Sequence, residues 1–419
     1  MFLAGVALFG ISSAAIGFSG SVLWLAAWRA AQGAGAAAMQ PATMSILTNT
    51  FGEEERGRAL GLLSGLSALG LAFGPVLGGV LVEQVSWQSI FFINVPFAFA
   101  AIVVTRLAAL ESRDESAGRR IDVLGVITIS VTLGCLVLAL MYGSTWGWAS
   151  ARELAVFAIA CAGLAAFVIA ERRSRFPIVE FRLLRSRGYA GAVLVAFVIG
   201  FAIFAPLFYV ALFFQDVAGY SPIQSGFGFL PATALIIVAA PRAGRLADRV
   251  GPRVPIVLGL GSVTAALLWL SRLHVGSTYL ALLPGFALLG IGVGMTMSPM
   301  TTAAMNAIGA QRAGVGVGAG IVNMSRLVGG TMGIALTGII VSSLGRARLG
   351  ALLPSLSAPL RAQLLSHVSG TSVRVPASIA SAGQHAFSYG VARGLLLGAG
   401  VSVVGAIGAW ALIAPRRRD

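Results

Sequence analysis

The chain has 419 residues, 57% of them hydrophobic and 10% charged, with a mean hydropathy of +0.90. A soluble globular protein keeps roughly a quarter of its residues charged; a water-soluble fold could not hide this much apolar surface, so lipid is the solvent for most of the chain. The formal net charge of +15 comes from arginine alone, because the sequence has no lysine. Most of these arginines lie in short loops between apolar runs, which is a topology signal and not a nucleic-acid footprint. Cys135 and Cys161 both fall within apolar segments. With no CxxC and no Cys/His cluster, neither a disulfide framework nor a metal site is expected.

A spanning helix needs about 20 mostly apolar residues. Twelve such segments are predicted, at about 1–20, 22–49, 58–82, 89–109, 122–143, 153–171, 189–214, 224–241, 254–271, 278–300, 313–342 and 389–414. No basic stretch precedes the first, and further segments follow at once, so a cleaved signal peptide is not expected. If the first helix runs outward, twenty arginines fall on inner loops and the C-terminal tail, against six on the outer side. That bias predicts a cytoplasmic C-terminus in a multi-pass protein of a bacterial cytoplasmic membrane. Arg29, Arg326 and Arg393 remain inside helices. The segments group as four helices over 1–110, two over 111–188 with charged inner loops at 111–120 and 171–188, and six over 189–419. A long polar-amphipathic outer segment, at about 343–388, interrupts the last group.

Several segments carry residues that lipid would exclude. In the second, Arg29 and Gln32 are three apart and share a helix face. An arginine at membrane depth is costly unless it faces protein or water, so it reads as a proton-relay or cavity residue, or as a hydrogen-bonded pin between helices. The third has glycines four apart, at Gly61 and Gly65 and at Gly70, Gly74 and Gly78, with Pro75 and Gly79 among them. Such a stripe allows close helix approach, and the proline allows a bend. The seventh carries Phe197, Phe201, Phe204 and Phe208 on one face, either packing against neighbours or walling a substrate cavity. Between the eighth and ninth, Gly244, Arg245, Asp248, Arg249, Gly251 and Arg253 form a tight charged inner loop, in which a carboxylate can cap a helix N-terminus. In the eleventh, Asn323 and Arg326 again share a face, as a helix pin or as part of a cavity.

The fourteen acidic residues all fall in loops or at segment ends, and His274, His367 and His385 lie on the outer side. Nothing inside the membrane pairs carboxylates, sets a histidine beside a nucleophile, or builds a phosphate loop. An enzyme is therefore not expected.

These motifs resemble the major facilitator superfamily. WRAAQGAGAA (28–37) is similar to the R-x-x-Q-G-x-G-A-A element of the fourth helix of its drug exporters, and GLAFGPVLGGVL (70–81) to their fifth-helix antiporter motif. SWQSIFFINVPFA (86–98) resembles the start of the sixth helix, with Gln88 where arginine is usual. FFQDVAGYSPIQSGFGFLP (213–231) looks like a helix connection of the fourteen-helix drug:proton antiporter branch, and GRLADRVGPR (244–253) like the second copy of the inner-loop motif. The resemblance implies an all-α major facilitator fold, here helices 3 to 14 of a fourteen-helix plan. It implies alternating access by two bundles with two helices between them. It also implies a monomer in the bilayer that exports hydrophobic or cationic small molecules, has no cofactor, and is driven by the proton gradient. In that matching the first two helices and their coupling carboxylate would precede residue 1, and upstream coding sequence is expected to supply them. Export of an endogenous metabolite or lipid, and a non-transporting remnant, are the alternatives.

Overall fold

The structure, a computed structural model, describes residues 1–50, 70, 73–108, 122–174, 181–308, 315–354 and 377–414. Its helices are α1 (Phe2–Gly17), α2 (Val22–Thr50), α3 (73–84), α4 (Ser89–Phe92), α5 (Asn94–Ala108), α6 (Val123–Trp146), α7 (Ala151–Arg173) and α8 (Phe181–Leu184). They continue as α9 (Arg187–Leu212), α10 (Pro222–Gly228), α11 (Leu230–Val250), α12 (Arg253–Leu270), α13 (Tyr279–Ile308), α14 (Val315–Leu352) and α15 (Ala377–Leu412). A five-residue π-helical turn, Phe213–Val217, closes α9. Among the described residues nine helices are long and apolar enough to cross a membrane. Much of the predicted third segment, with Gly61 and Gly65, lies outside the described residues.

The helix ends are set by local chemistry. Asp122 caps α6 by accepting the Gly125 N–H at 2.7 Å, and Ser150 caps α7 by accepting that of Glu153 at 3.2 Å. Ser221 and Gln224 form a reciprocal capping box on α10, with Pro222 in the first turn, where a missing N–H is harmless. Gly251 ends α11 at φ +87°, a left-handed conformation that side chains resist, and its N–H closes on the Ala247 carbonyl at 2.8 Å.

The chain divides into two compact units, Met1–Arg119 with Ser221–Leu230, and Arg120–Tyr220 with Pro231–Asp419. In the first, α1 packs on α2 and α5. Gly5 and Gly35 mark the α1–α2 crossing: a methyl on Gly35 would sit 2.7 Å from the Phe9 backbone nitrogen. α10 lies against α3 along Pro75, Gly79 and Glu83, positions four apart. A methyl on Gly226 would lie 2.5 Å from the Pro75 carbonyl oxygen, and one on Gly79 would run into that of Pro222. Glu83 fastens the contact by accepting the Ile223 N–H at 3.0 Å.

In the second unit α9 and α14 run parallel at backbone contact. A methyl on Gly200 would collide with the Arg326 carbonyl oxygen, and one on Gly329 with that of Phe197; one on Gly333 would approach that of Phe201 to 2.8 Å. Tyr189 donates to the Gly318 carbonyl at 2.8 Å, Ser325 to Val193 at 2.9 Å, and Tyr209 to Ile334 at 3.0 Å. α12 and α13 cross at Gly259 and Gly292 in the same way.

α13 and α14 run past their predicted ends, to Ile308 and Leu352, while α15 begins at Ala377. The predicted outer segment 343–388 is thus partly a continuation of α14 and α15. They persist because Leu349, Ala382 and Ala386, joined by Leu353 and Ile379, bury a small core of their own.

Two outcomes follow. Gly200→Ala should cost about 1–3 kcal/mol by overpacking a contact that is already backbone to backbone. Gly261→Ala, where a methyl meets nothing within 4 Å, should leave stability unchanged; equal melting of the two variants in detergent would refute the α9–α14 contact. Bonds from Ser221 and from the Ile223 N–H hold the Glu83 carboxyl below its usual range. A depressed carboxyl stabilises above its unfolded pKa and loses that contribution as pH falls through the folded value. The stability gap between wild type and Glu83→Gln should therefore close in acid, and a gap that does not change with pH would contradict the bond.

Candidate functional site

The polar residues of the first unit converge on Ser13 of α1. Arg29 donates to Gln32 Oε1 at 2.8 Å, and Gln32 Nε2 donates to Ser13 Oγ at 2.6 Å. Asn94 Nδ2, at the first turn of α5, reaches the same oxygen at 3.4 Å. The Arg29 guanidinium also lies 5.7 Å from the Phe91 ring centre. Gln32 and Ser13 are buried, whereas Arg29 is exposed on its unit. One buried amide thus connects an exposed cation to a hydroxyl shared by three helices. Neighbouring Ser12 is fully buried, and its hydroxyl has no hydrogen-bond partner. Gln32 alone both accepts, from Arg29, and donates, to Ser13, whose oxygen accepts from Gln32 and from Asn94, so the line is a directed set of hydrogen bonds ending on the Ser13 hydroxyl.

Ser13 and Asn94 are the members that sequence spacing does not reveal. A Ser-Ser pair in an otherwise apolar first helix, and an asparagine opening α5, were the available signals.

The glycines of α3 divide between two environments. No described atom lies within 4 Å of a methyl placed on Gly70, Gly74 or Gly78, whereas Gly79 is filled by α10. The close-packed face is therefore Pro75–Gly79–Glu83, and among the described residues nothing packs on the Gly70–Gly74–Gly78 stripe.

In the second unit Arg326 Nη2 donates to Asn323 Oδ1 at 2.7 Å, while its buried Nε has no hydrogen-bond partner. The α9 aromatic face meets the glycines of α14: a methyl on Gly330 would touch Phe204, and Phe197 and Phe201 back onto Gly329 and Gly333. Phe201 is buried, but Phe208 is 46% exposed and packs edge-on against Tyr209 at 5.0 Å. Of the four phenylalanines, Phe208 is the one most open to a ligand.

The predicted charged loop is mostly helical: Gly244, Arg245, Asp248 and Arg249 lie on the last turns of α11, Arg253 opens α12, and only Gly251 and Pro252 turn between them, beside a cavity of about 630 Å³. Asp248, Gly251 and Pro252 line it together with Ser186, Thr302, Asn306 and Ile413, so the ends of α9, α11, α12, α13 and α15 meet there. Gly244 faces Ser298, and Arg253 stacks on Trp410 at 3.7 Å with its Nε buried and without a hydrogen bond. Arg245 and Arg249 are exposed on α11. Glu153 is another residue whose setting the sequence did not show: it is fully buried in the first turn of α7, and neither carboxylate oxygen has a hydrogen-bond partner.

Long apolar helices, glycine-notched crossings and a few buried polar chains define a multi-pass membrane protein. The chain belongs to the Major Facilitator Superfamily, which it matches over residues 1–334. It is 36% identical over 343 residues to the multidrug resistance protein Stp of Mycobacterium tuberculosis, covering 82% of this chain and 63% of that protein. Identity and coverage are the same for the tetracenomycin C resistance and export protein of Streptomyces glaucescens. The methylenomycin A resistance protein of Streptomyces coelicolor is 32% identical, over 82% of this chain and 72% of that one. The chain thus spans just under two thirds of the length of the first two relatives. Its fold is similar to the crystal structure of a bacterial homolog to the human lysosomal transporter Spinster, in an inward-facing and occupied conformation. That likeness has a TM-score of 0.56 at 16% identity and covers 98% of this chain and 81% of that one.

Ser13→Ala should cost about 1–3 kcal/mol, the penalty for leaving the buried Gln32 amide short of its acceptor. Ser13→Thr should keep the hydroxyl and recover part of the loss. Detergent melting curves for the two variants provide the check, and equal loss in both would mean packing rather than the hydrogen bond.

Proposed function

We propose that the protein is a secondary active exporter of hydrophobic, cationic or amphipathic compounds, driven by proton influx through alternating access. The observation that carries this is the Arg29–Gln32–Ser13–Asn94 chain. An arginine in an apolar helix costs several kcal/mol in lipid and persists where it faces protein or a water-filled path. Here it has an exposed guanidinium on one side and a hydrogen-bonded chain on the other. The names of the relatives, which are resistance and export proteins, support the substrate class.

In this reading Arg29 and Gln32 carry or steer protons in the first bundle. The Gly70–Gly74–Gly78 stripe with Pro75 is the surface on which α3 slides or bends, while Gly79 seats α10. Asp248, with Arg245 and Arg249, latches the cytoplasmic mouth of the second bundle, and Gly251 and Arg253 fix the turn that holds it. Asn323, Arg326 and Phe208 face the substrate path. No cofactor is involved; the energy is the proton gradient, and the membrane is the bacterial cytoplasmic membrane with the C-terminus inside.

The test is efflux of a fluorescent lipophilic cation from a pump-deficient host expressing the protein together with its in-frame upstream coding sequence. Wild type should expel the dye, and a protonophore should stop it. Arg29→Ala should lose at least about tenfold in rate, corresponding to roughly 1.4 kcal/mol, whereas Arg29→Lys should retain part of it. Unchanged efflux for Arg29→Ala at normal membrane abundance would end the relay role.

A further inference from the structure

α14 and α15 pack antiparallel in a fixed register. A methyl on Gly394 would lie 2.5 Å from the Thr337 side chain, one on Gly390 would lie 2.8 Å from the Val341 Cα, and farther along Leu349 clusters with Ala382 and Ala386. A methyl on Gly398 would sit 3.1 Å from Leu267, near the end of α12 at Leu270. α12 is an 18-residue apolar span, so its end marks the limit of the hydrocarbon. Arg393 lies about 7.5 Å beyond Gly398 along α15 and is thus at that limit. Past it the two helices continue together out of the apolar layer; α14 reaches Leu352, about 16 Å beyond Val341.

At this boundary two guanidiniums flank one tyrosine. Arg393 lies 5.1 Å and Arg348 5.7 Å from the Tyr389 ring centre, and all three side chains are exposed. Like charges so placed repel, and no Asp or Glu occurs between Arg249 and Arg418; Asp216, whose backbone carbonyl accepts from Gln384 Nε2 at 3.1 Å, is the carboxylate that the end of α9 brings to this part of α15. Arg346 adds a further charge on the same stretch. The exporter reading uses none of these residues.

We propose that Arg348, Tyr389 and Arg393 bind the phosphodiester headgroup of an anionic phospholipid at the membrane surface remote from the C-terminus. Two guanidinium forks match phosphate oxygens in geometry and charge, and a tyrosine at the interface adds a hydroxyl donor. α15 also provides the path for an acyl chain. Below Arg393 on the same helix face lie Gly400, with open space where a side chain would be, then Val404 and Ile407, which are 62% and 64% exposed. A free phosphate would have no use for that apolar track. The site stands apart from the exporter reading, which decides only which leaflet it engages.

The experiment is native mass spectrometry of the full chain in detergent, loaded with phosphatidylglycerol or with phosphatidylcholine of the same acyl chains. Wild type should retain phosphatidylglycerol preferentially. Arg348→Ala with Arg393→Ala should lower that retention by roughly tenfold, since each arginine near an anionic headgroup contributes on the order of a several-fold preference. Arg272→Ala, which removes an arginine stacked on Trp269 at the same boundary, should leave it intact. If the alanine pair lowers the yield of folded protein, Arg348→Gln with Arg393→Gln takes its place. Equal retention of the two lipids, or wild-type retention by the double variant, would overturn the site. Displacement of the lipid by inorganic phosphate would reassign it to a soluble anion and overturn the lipid claim. Absence of dye efflux by wild type that still retains phosphatidylglycerol would count against the exporter reading alone.

Discussion

The second unit depends on backbone reaching backbone between α9 and α14. In lipid the hydrophobic effect does not draw helices together, so association relies on close van der Waals contact and on hydrogen bonds across the crossing. Gly200 and Gly329 remove the side chains that would hold the axes apart, and Tyr189, Ser325 and Tyr209 donate across the gap so created. Gly259 with Gly292 repeats the device between α12 and α13, and Gly5 with Gly35 does so in the first unit. The 54 glycines of the chain are therefore not mere composition bias; many of them mark where one helix admits another.

Against this apolar framework Arg29 and Arg326 are treated alike. Arg29 donates to Gln32 and Arg326 to Asn323, each an amide three residues away on the same helix. An amide so placed satisfies part of the guanidinium without adding a second charge, which lowers the cost of burial and leaves the cation intact. The units differ in what comes next. The Gln32 amide continues into Ser13 and Asn94, whereas Arg326 lies with its backbone against Gly200 and keeps a buried Nε without a partner. The first arrangement ties its arginine to two further helices, and the second leaves its arginine bonded within its own helix.

The residues differ in how much of this could be read from order alone. Helix existence was legible, since long apolar runs in a charge-poor chain admit nothing else. The Arg29–Gln32 and Asn323–Arg326 faces were legible too, because a separation of three fixes the geometry within one helix. Ser13 is 19 residues from Gln32 and 81 from Asn94, and no spacing rule brings such positions together. The α9 phenylalanines show the same limit: their stripe is plain, but only the neighbour they meet decides that Phe201 is buried and Phe208 exposed. For α3 the glycine spacing pointed to Gly70, Gly74 and Gly78, while α10 docks a step around the helix at Pro75 and Gly79. The helical parts of 343–388 were hidden by their polarity, since a core as small as Leu349, Ala382 and Ala386 leaves little periodic trace.

The parallel pairing of α9 and α14 also bears on how the protein is made. Ser325 bonds to a carbonyl 132 residues earlier in the chain, so α9 enters the membrane long before its partner exists. At synthesis rates of about 5–20 residues per second the delay is on the order of ten seconds. During that time the notch at Gly200 has no α14 to fill it, and lipid or an insertion factor must occupy the groove. Biogenesis, and not only the finished contact, thus places α9 under selection to remain soluble in the bilayer on its own.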